Sequence, residues 1–295
     1  MSANSRSHFL ILHSSVLLFA LAGLFAKWIA LSAYWLVMGR TGFAALALIC
    51  FIALSAKHTF KIESHHLSRF ALTGGLLLLH WLSFFYAIQQ STVAFGLLVF
   101  AAFPIFTLAI NAYVLKRMPD KASIMQGGLI CIGILLLTID KPLLTSATAL
   151  ISGLFSAFTF ALLLAVNKSL VQQYHSSQVA LYQNGFAFLL GLPFVLVFPT
   201  SVELLVAELP LLVLLGVVFT ALAHSALNRS LTQLTTLTVS LAICLEPVYG
   251  TIAAMLLLDE AVSWSMLAGG VLIIAVNIVR AVSPANRKSL AIARE

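Results

Sequence analysis

Charged residues are scarce in this chain. Of its 295 residues, only 8% are Asp, Glu, Lys or Arg, and 61% are hydrophobic, whereas soluble domains contain about 25% charged residues. The mean hydropathy is +1.07. Too little polar surface is available to cover a water-soluble protein of this size, so apolar surface must face lipid. This composition excludes a soluble enzyme.

The chain also lacks the motifs of common enzyme sites. Its three cysteines, Cys50, Cys131 and Cys244, lie inside apolar runs without C-x-x-C spacing, which excludes a disulfide framework and a cysteine zinc site. No metalloprotease, serine-hydrolase or ATP-binding motif is present. We therefore expect no enzyme, no cofactor, no metal site and no ATP-driven pump. The net charge of +7 does not predict nucleic-acid binding, because the basic residues lie between apolar runs.

Long apolar runs dominate the sequence and predict membrane helices. A bilayer core of about 30 Å requires about 20 helical residues, and the chain contains ten runs of that order separated by short loops. The fold class is therefore predicted to be an all-α polytopic membrane protein with ten transmembrane helices. The predicted spans are 9–27, 33–56, 68–88, 92–115, 121–139, 147–167, 178–198, 209–228, 234–258 and 262–282.

Basic residues are distributed unevenly between the two sets of loops. Thirteen of the sixteen Lys and Arg residues fall on the side of the termini and of the loops after the second, fourth, sixth and eighth spans, which we call the basic end. The opposite side, the acidic end, holds Lys27, Lys141 and most of the acidic residues. Because basic loops stay in the cytoplasm, both termini are predicted to be cytoplasmic. The first run resembles a signal peptide, but its removal would leave nine helices, so we assign it as the first span.

The two halves of the chain resemble each other at a shift of 143 residues. Five helices in each half give an odd number, so the second half enters the membrane from the opposite side and forms an inverted repeat. We assign the repeats to residues 1–141 and 142–283, followed by a basic tail at 284–295 that is predicted to lie on anionic lipid. The shift aligns Pro104 with Pro247, Gln90 with Gln233, Gly127 with Gly270, and Gly42-Phe43 with Gly185-Phe186.

Ten helices in two repeats, together with three short motifs, resemble the EamA family of the drug/metabolite transporter superfamily. The motifs are Leu245-Glu246-Pro247-Val248, Leu258-Asp259-Glu260 and Gly269-Gly270. The first half departs from the pattern, because Lys116-Arg117-Met118-Pro119 stands where the family often has an acidic residue. The resemblance implies a carrier of small metabolites in the bacterial inner membrane, with efflux of amino acids and related compounds prominent in the family.

Two ionisable residues lie well inside predicted spans, where each carries an insertion cost of about 2.5–3.5 kcal/mol. Glu246 lies near the middle of the ninth span, and Arg40 lies about seven residues into the second. An Arg–Glu ion pair between helices would satisfy both charges. Alternatively, Glu246 contacts substrate or carries a proton. The sequence leaves both interpretations open.

Two prolines at matched positions interrupt the fourth and ninth spans. Pro104 and Pro247 each remove a backbone donor and are expected to kink their helices. In transporters such breaks mark the binding site and act as hinges, although ordinary packing kinks are the alternative.

Polar residues in corresponding helices of the two halves are candidate substrate contacts. Histidine donates and accepts hydrogen bonds and tryptophan offers an aromatic face, which suits a zwitterionic or aromatic small molecule. For each of these residues, a hydrogen bond between helices is the competing role. The candidates are His80, Trp81, His224, Asn228, Glu246 and Tyr249. Further polar residues, expected mainly to join helices, are Asn111, Gln126, Gln183, Asn184 and Asn277.

These observations predict a secondary transporter that moves a small polar metabolite, an amino acid or a related compound, by alternating access, and the resemblance to the EamA family implies that the movement is outward. The alternatives are a multidrug or organic-cation exporter, a lipid flippase and an intramembrane enzyme. The expected partners are a small-molecule substrate and membrane lipids. Coupling to protons or a counter-substrate, and a monomeric or homodimeric state, stay open.

Overall fold

The protein is described by a computed structural model that covers residues 3–55, 59–114, 116, 121–140, 143–233, 239 and 242–282. All regular structure in these residues is helical, and it forms ten spans, as predicted. Seven stretches are long and apolar enough to cross a membrane as continuous helices. The tenth span contains a shorter apolar helix, the helix of the seventh has 16 residues, and the ninth is described only in part. The protein is therefore a multi-pass membrane protein.

The first repeat contains spans α1 to α5, two of which are interrupted. The helices are Ala3–Ala22 continued by Phe25–Trp28 (α1), Ala33–Leu54 (α2), Leu67–Gln89 (α3), Val93–Phe100 followed by Phe103–Val114 (α4) and Lys121–Thr138 (α5).

The second repeat contains spans α6 to α10. Helix α8 has a π-helical turn in its middle, where the backbone hydrogen bonds join residues five apart instead of four. The helices are Leu143–Leu170 (α6), Ser176–Gly191 (α7), Val202–Gly216 with the π-helical Val217–Leu222 and Ala223–Gln233 (α8), Glu246–Leu257 (α9) and Trp264–Val282 (α10).

Contacts between the helices have the symmetry of an inverted repeat. Equivalent helices of the two halves pack on each other: α2 on α7, α4 on α9 and α5 on α10. Other contacts also occur in matched pairs. Helix α1 packs on α8 as α6 packs on α3, and α3 packs on α7 as α8 packs on α2. Two like five-helix units related by a pseudo-twofold axis produce this pattern. The predicted inverted repeat is confirmed.

The two matched prolines lie just after helix breaks, so the expected kinks are complete interruptions. Helix α4 stops at Phe100 and restarts at Phe103, which places Pro104 in the first turn of the new segment. Pro247 occupies the same kind of position at the start of α9. A proline is tolerated in the first turn because the N–H it lacks would have no helical partner there. At the α4 break, the Asn277 amide donates a 3.0 Å hydrogen bond to the carbonyl of Ala101.

Glu260 binds the start of α4 from the loop between α9 and α10. Its carboxylate accepts hydrogen bonds from the backbone N–H groups of Val93 at 2.8 Å and Ala94 at 3.2 Å, and the Thr92 hydroxyl accepts one from Phe95. These donors have no partner within the helix, and the negative charge is favourable at a helix N-terminus. Glu260 therefore links the second repeat to the first.

Removal of this cap is expected to destabilise the protein. Glu260→Gln retains the shape of the side chain and one acceptor oxygen but loses the charge, so we expect a loss of about 1–2 kcal/mol in the free energy of unfolding. The measurement is thermal unfolding in detergent. The control is Glu203→Gln, because Glu203 is exposed in the first turn of α8. An equal change in both variants would contradict the assigned role of Glu260.

Candidate functional site

A pocket lies in the bundle between helices of both repeats. It contains about 580 Å³ of space not occupied by atoms, including the part at its mouth. Spans α1, α3 and α4 contribute from the first repeat, and α6, α7, α8 and α9 from the second. The lining residues are Phe19, Leu77, His80, Trp81, Phe84, Phe100, Phe160, Leu163, Leu164, Asn167, Gln183, His224, Leu227, Asn228, Ile243 and Glu246.

Both helix breaks border this pocket. Phe100 is the last residue of the first segment of α4, whereas Ile243 and Glu246 flank the turn from which α9 starts. Broken helices from the two halves of a transporter typically meet at its binding site. The pocket occupies that position.

Five of the six predicted contact residues line the pocket: His80, Trp81, His224, Asn228 and Glu246. The sixth, Tyr249, lies three residues beyond Glu246 on α9, packs against the main hydrophobic core and does not line the pocket. Pro104 and Pro247 lie beside the breaks but also do not line it.

Arg40 lies behind one wall of the pocket and is completely buried. Its guanidinium carbon lies 3.4 Å from the centre of the Trp81 ring, a cation–π stack. Its Nε donates to the Thr220 hydroxyl at 3.1 Å, while Nη1 is buried without a hydrogen-bond partner. In the described part of the chain Arg40 and Glu246 form no ion pair. The guanidinium stacks on the aromatic ring of Trp81 instead of forming a direct salt bridge with Glu246.

The position of Arg40 depends on the π-helical turn of α8. Within this turn the Thr220 hydroxyl donates to the carbonyl of Leu215, five residues earlier, and it accepts from Arg40. Gly216, just before the turn, lies so close to α2 that an added Cβ would come within 3.0 Å of the Arg40 carbonyl oxygen. Such π-helical turns often occur at functional sites.

The two pocket histidines have different surroundings. His80 Nδ1 is 2.8 Å from the Ser156 hydroxyl and 3.1 Å from the Ser156 carbonyl oxygen, which ties α3 to α6. The His224 ring packs edge-on against Phe19, with centroids 5.1 Å apart. Trp81 also has a buried Nε1–H without a hydrogen-bond partner. Trp81 therefore carries an unsatisfied donor in the wall of the pocket.

The family of the chain follows from a sequence match that covers most of its length. The EamA-like transporter family model matches it twice, at residues 7–139 and 147–279. The chain belongs to the EamA-like transporter family. It is therefore a membrane transporter of the drug/metabolite transporter superfamily, as the motifs predicted.

Solved structures support the fold of this EamA-like transporter. A crystal structure titled only "Crystal structure of protein" has a TM-score of 0.67, with 94% of this chain and 96% of that chain covered at 16% sequence identity. At this identity the likeness shows the fold alone. No curated protein matches the sequence significantly.

An amide network at one side of the pocket was not predicted from the sequence. Gln183 donates to the Asn167 side chain at 2.9 Å, and Asn167 donates to Asn228 at 3.3 Å. The network joins α6, α7 and α8. Gln183 was expected mainly to join helices, and Asn167 carried no signal of its own, because a single asparagine near a helix end is unremarkable in sequence.

The aromatic walls of the pocket were also missed. Phe19, Phe84, Phe100 and Phe160 line it together with Trp81, and the rings of Phe100 and Phe160 lie 5.2 Å apart. The chain contains 21 phenylalanines, so no local pattern distinguishes these four from those that face lipid.

Proposed function

We propose that this EamA-like transporter exports a small zwitterionic metabolite, an amino acid or a close relative, from the bacterial cytoplasm by alternating access. The single observation that carries the proposal is the pocket where the two broken helices meet, lined by one buried carboxylate, Glu246, and backed by one buried guanidinium, Arg40. A ligand with both charges matches this pair of fixed charges.

Glu246 is the acidic residue of the pocket lining and is the proposed partner of the substrate ammonium group. A charge-assisted hydrogen bond between an ammonium and a carboxylate contributes about 1.5–3 kcal/mol. His224 and Asn228 supply neutral groups that can accept further ammonium hydrogens.

The substrate carboxylate is assigned to the side of Trp81. Its indole Nε1–H is without a partner, and the Arg40 charge lies directly behind the ring. A positive charge in a medium of low dielectric attracts an anion over several ångströms even without direct contact. The Arg40 charge therefore favours a carboxylate on the pocket side of the Trp81 ring, while the ring itself separates the guanidinium from the pocket.

The orientation in the membrane is inferred from the charge distribution, and the mechanism is inferred from the repeat. The basic end is assigned to the cytoplasm by the excess of Lys and Arg, which places both termini there in the inner membrane. The two repeats, rocking about the breaks in α4 and α9, would expose the pocket to each side in turn. Coupling to protons or to a counter-substrate stays open.

An organic cation is the second candidate substrate. Aromatic walls around a single carboxylate are also typical of cation-binding sites, where ring faces attract the positive charge. The two candidates differ in what they require of Arg40, because a buried positive charge behind Trp81 opposes the entry of a cation without a carboxylate.

The test is counterflow in liposomes that contain the purified protein and are preloaded with unlabelled solute. We expect labelled neutral amino acids to accumulate transiently and to be recovered unchanged. Protein-free liposomes and liposomes preloaded with an unrelated sugar are the controls. Accumulation of organic cations without amino acids would overturn the proposal, as would chemical conversion of the solute.

A further inference from the structure

A cluster of three metal-ligating side chains lies outside the transport pocket, at the basic end just before α3. Glu63, His65 and His66 each offer one ligand atom, and these atoms all lie within 4.8 Å of one another. A 3₁₀ turn at Ser64–His66 brings the three side chains together. None of them lines the pocket.

The distances suit a small divalent metal. His65 Nε2 lies 3.3 Å from a Glu63 carboxylate oxygen, and ligand atoms bound to tetrahedral zinc at about 2.0–2.1 Å are separated by about 3.3 Å. Both side chains are about two-thirds exposed, at 67% and 66%. They can therefore adjust their rotamers, and water can reach a fourth coordination position.

His66 is held in the orientation that metal-binding histidines commonly have. Its side chain is buried, and its Nδ1 is 2.7 Å from the Tyr174 hydroxyl, which also accepts a hydrogen bond from the Glu63 backbone N–H at 3.1 Å. When the Nδ1–H of His66 donates to the Tyr174 hydroxyl, the Nε2 atom of His66 carries no proton and its lone pair can bind a metal. Such a hydrogen bond to the second ring nitrogen fixes the tautomer of a ligating histidine.

We propose that Glu63, His65 and His66 bind one Zn²⁺ ion, with water as the fourth ligand. Two imidazoles and one carboxylate match the ligand preference of zinc. The site lies where the α2–α3 connection of the first repeat contacts Tyr174, in the turn between α6 and α7 of the second. All three ligands belong to the first repeat, so bound Zn²⁺ orders this connection, while the contact of Tyr174 with His66 and Glu63 links it to the second repeat.

The test measures Zn²⁺ binding to the full-length protein in detergent by titration calorimetry, with the protein purified without a histidine tag. We expect one ion per chain and an unfolding temperature that rises with Zn²⁺ concentration, because the ion binds the folded state. His65→Ala and Glu63→Gln are expected to weaken binding at least tenfold. Tyr174→Phe is expected to weaken it about tenfold through the lost hydrogen bond to His66.

The matched control is His175→Asn, which removes a histidine from the same end of the bundle, at the start of α7, and retains a helix-capping side chain. This variant should bind Zn²⁺ as the unaltered protein does. Co²⁺ should give the absorption spectrum of a four-coordinate site. The proposal would be overturned if His65→Ala and Glu63→Gln left Zn²⁺ binding unchanged or if His175→Asn abolished it. It would also be overturned if the unaltered protein did not bind Zn²⁺ at micromolar concentrations.

Discussion

Glu246→Gln is expected to reduce transport of a zwitterionic substrate at least tenfold. The substitution keeps the size of the side chain but replaces a buried carboxylate in the pocket lining by a neutral amide. Loss of a charge-assisted hydrogen bond to the substrate ammonium costs about 1.5–3 kcal/mol, and every 1.4 kcal/mol corresponds to about a factor of ten in affinity. The fold should survive, because Glu246 has no ion-pair partner in the part of the chain that the structure describes.

The measurement is the initial rate of counterflow as a function of substrate concentration, with the amount of folded protein determined by size-exclusion chromatography. Glu203→Gln is the matched control, since Glu203 lies in the first turn of α8 outside the pocket. Unchanged transport together with a lower unfolding temperature would assign Glu246 a structural role and contradict the substrate assignment.

The same variant distinguishes binding from proton coupling. If Glu246 carries a proton as well, Glu246→Gln will abolish the effect of an imposed pH gradient, while residual exchange of substrate continues. If Glu246 only binds the ammonium, residual transport will respond to the gradient as in the unaltered protein. Counterflow with and without a pH difference across the liposome membrane separates the two outcomes.

The helices and the repeat could be predicted from the sequence because each depends on local information. A membrane span requires a run of apolar residues of a fixed length, and an inverted repeat requires an odd number of such runs. Matched prolines located the helix breaks for the same reason, since Pro104 and Pro247 each remove a backbone donor. The sequence indicated kinks, whereas the structure has breaks, because each proline occupies the first turn of a new segment.

The partners of buried groups could not be predicted in this way. The sequence offered Glu246 as the partner of Arg40, since no other acidic residue lies deep in a span, but the structure stacks Arg40 on Trp81. That contact depends on the crossing of α2 and α3 and on the π-helical turn of α8, neither of which has a local sequence signal. The Asn167 network and the cap of α4 by Glu260 also join distant helices.

Arg40→Met is expected to reduce transport of a zwitterion at least tenfold without lowering stability. A buried guanidinium with an unpartnered Nη1 is costly to the fold, and replacement of a buried charged group by an apolar side chain of similar volume is often neutral or stabilising. The variant removes the positive charge behind Trp81, so binding of the substrate carboxylate should weaken at least tenfold. Arg40→Lys retains the charge but loses the planar stack and the Nε bond to Thr220, and should retain part of the activity.

Counterflow and thermal unfolding of the same samples test this expectation, with Arg229→Met as the matched control because Arg229 is exposed on α8. Improved transport of organic cations by Arg40→Met would support the view that the buried charge selects against cations that lack a carboxylate. A large fall in the unfolding temperature with unchanged transport per folded molecule would contradict the argument. These two measurements separate an effect of the buried charge on ligand binding from a role of that charge in folding.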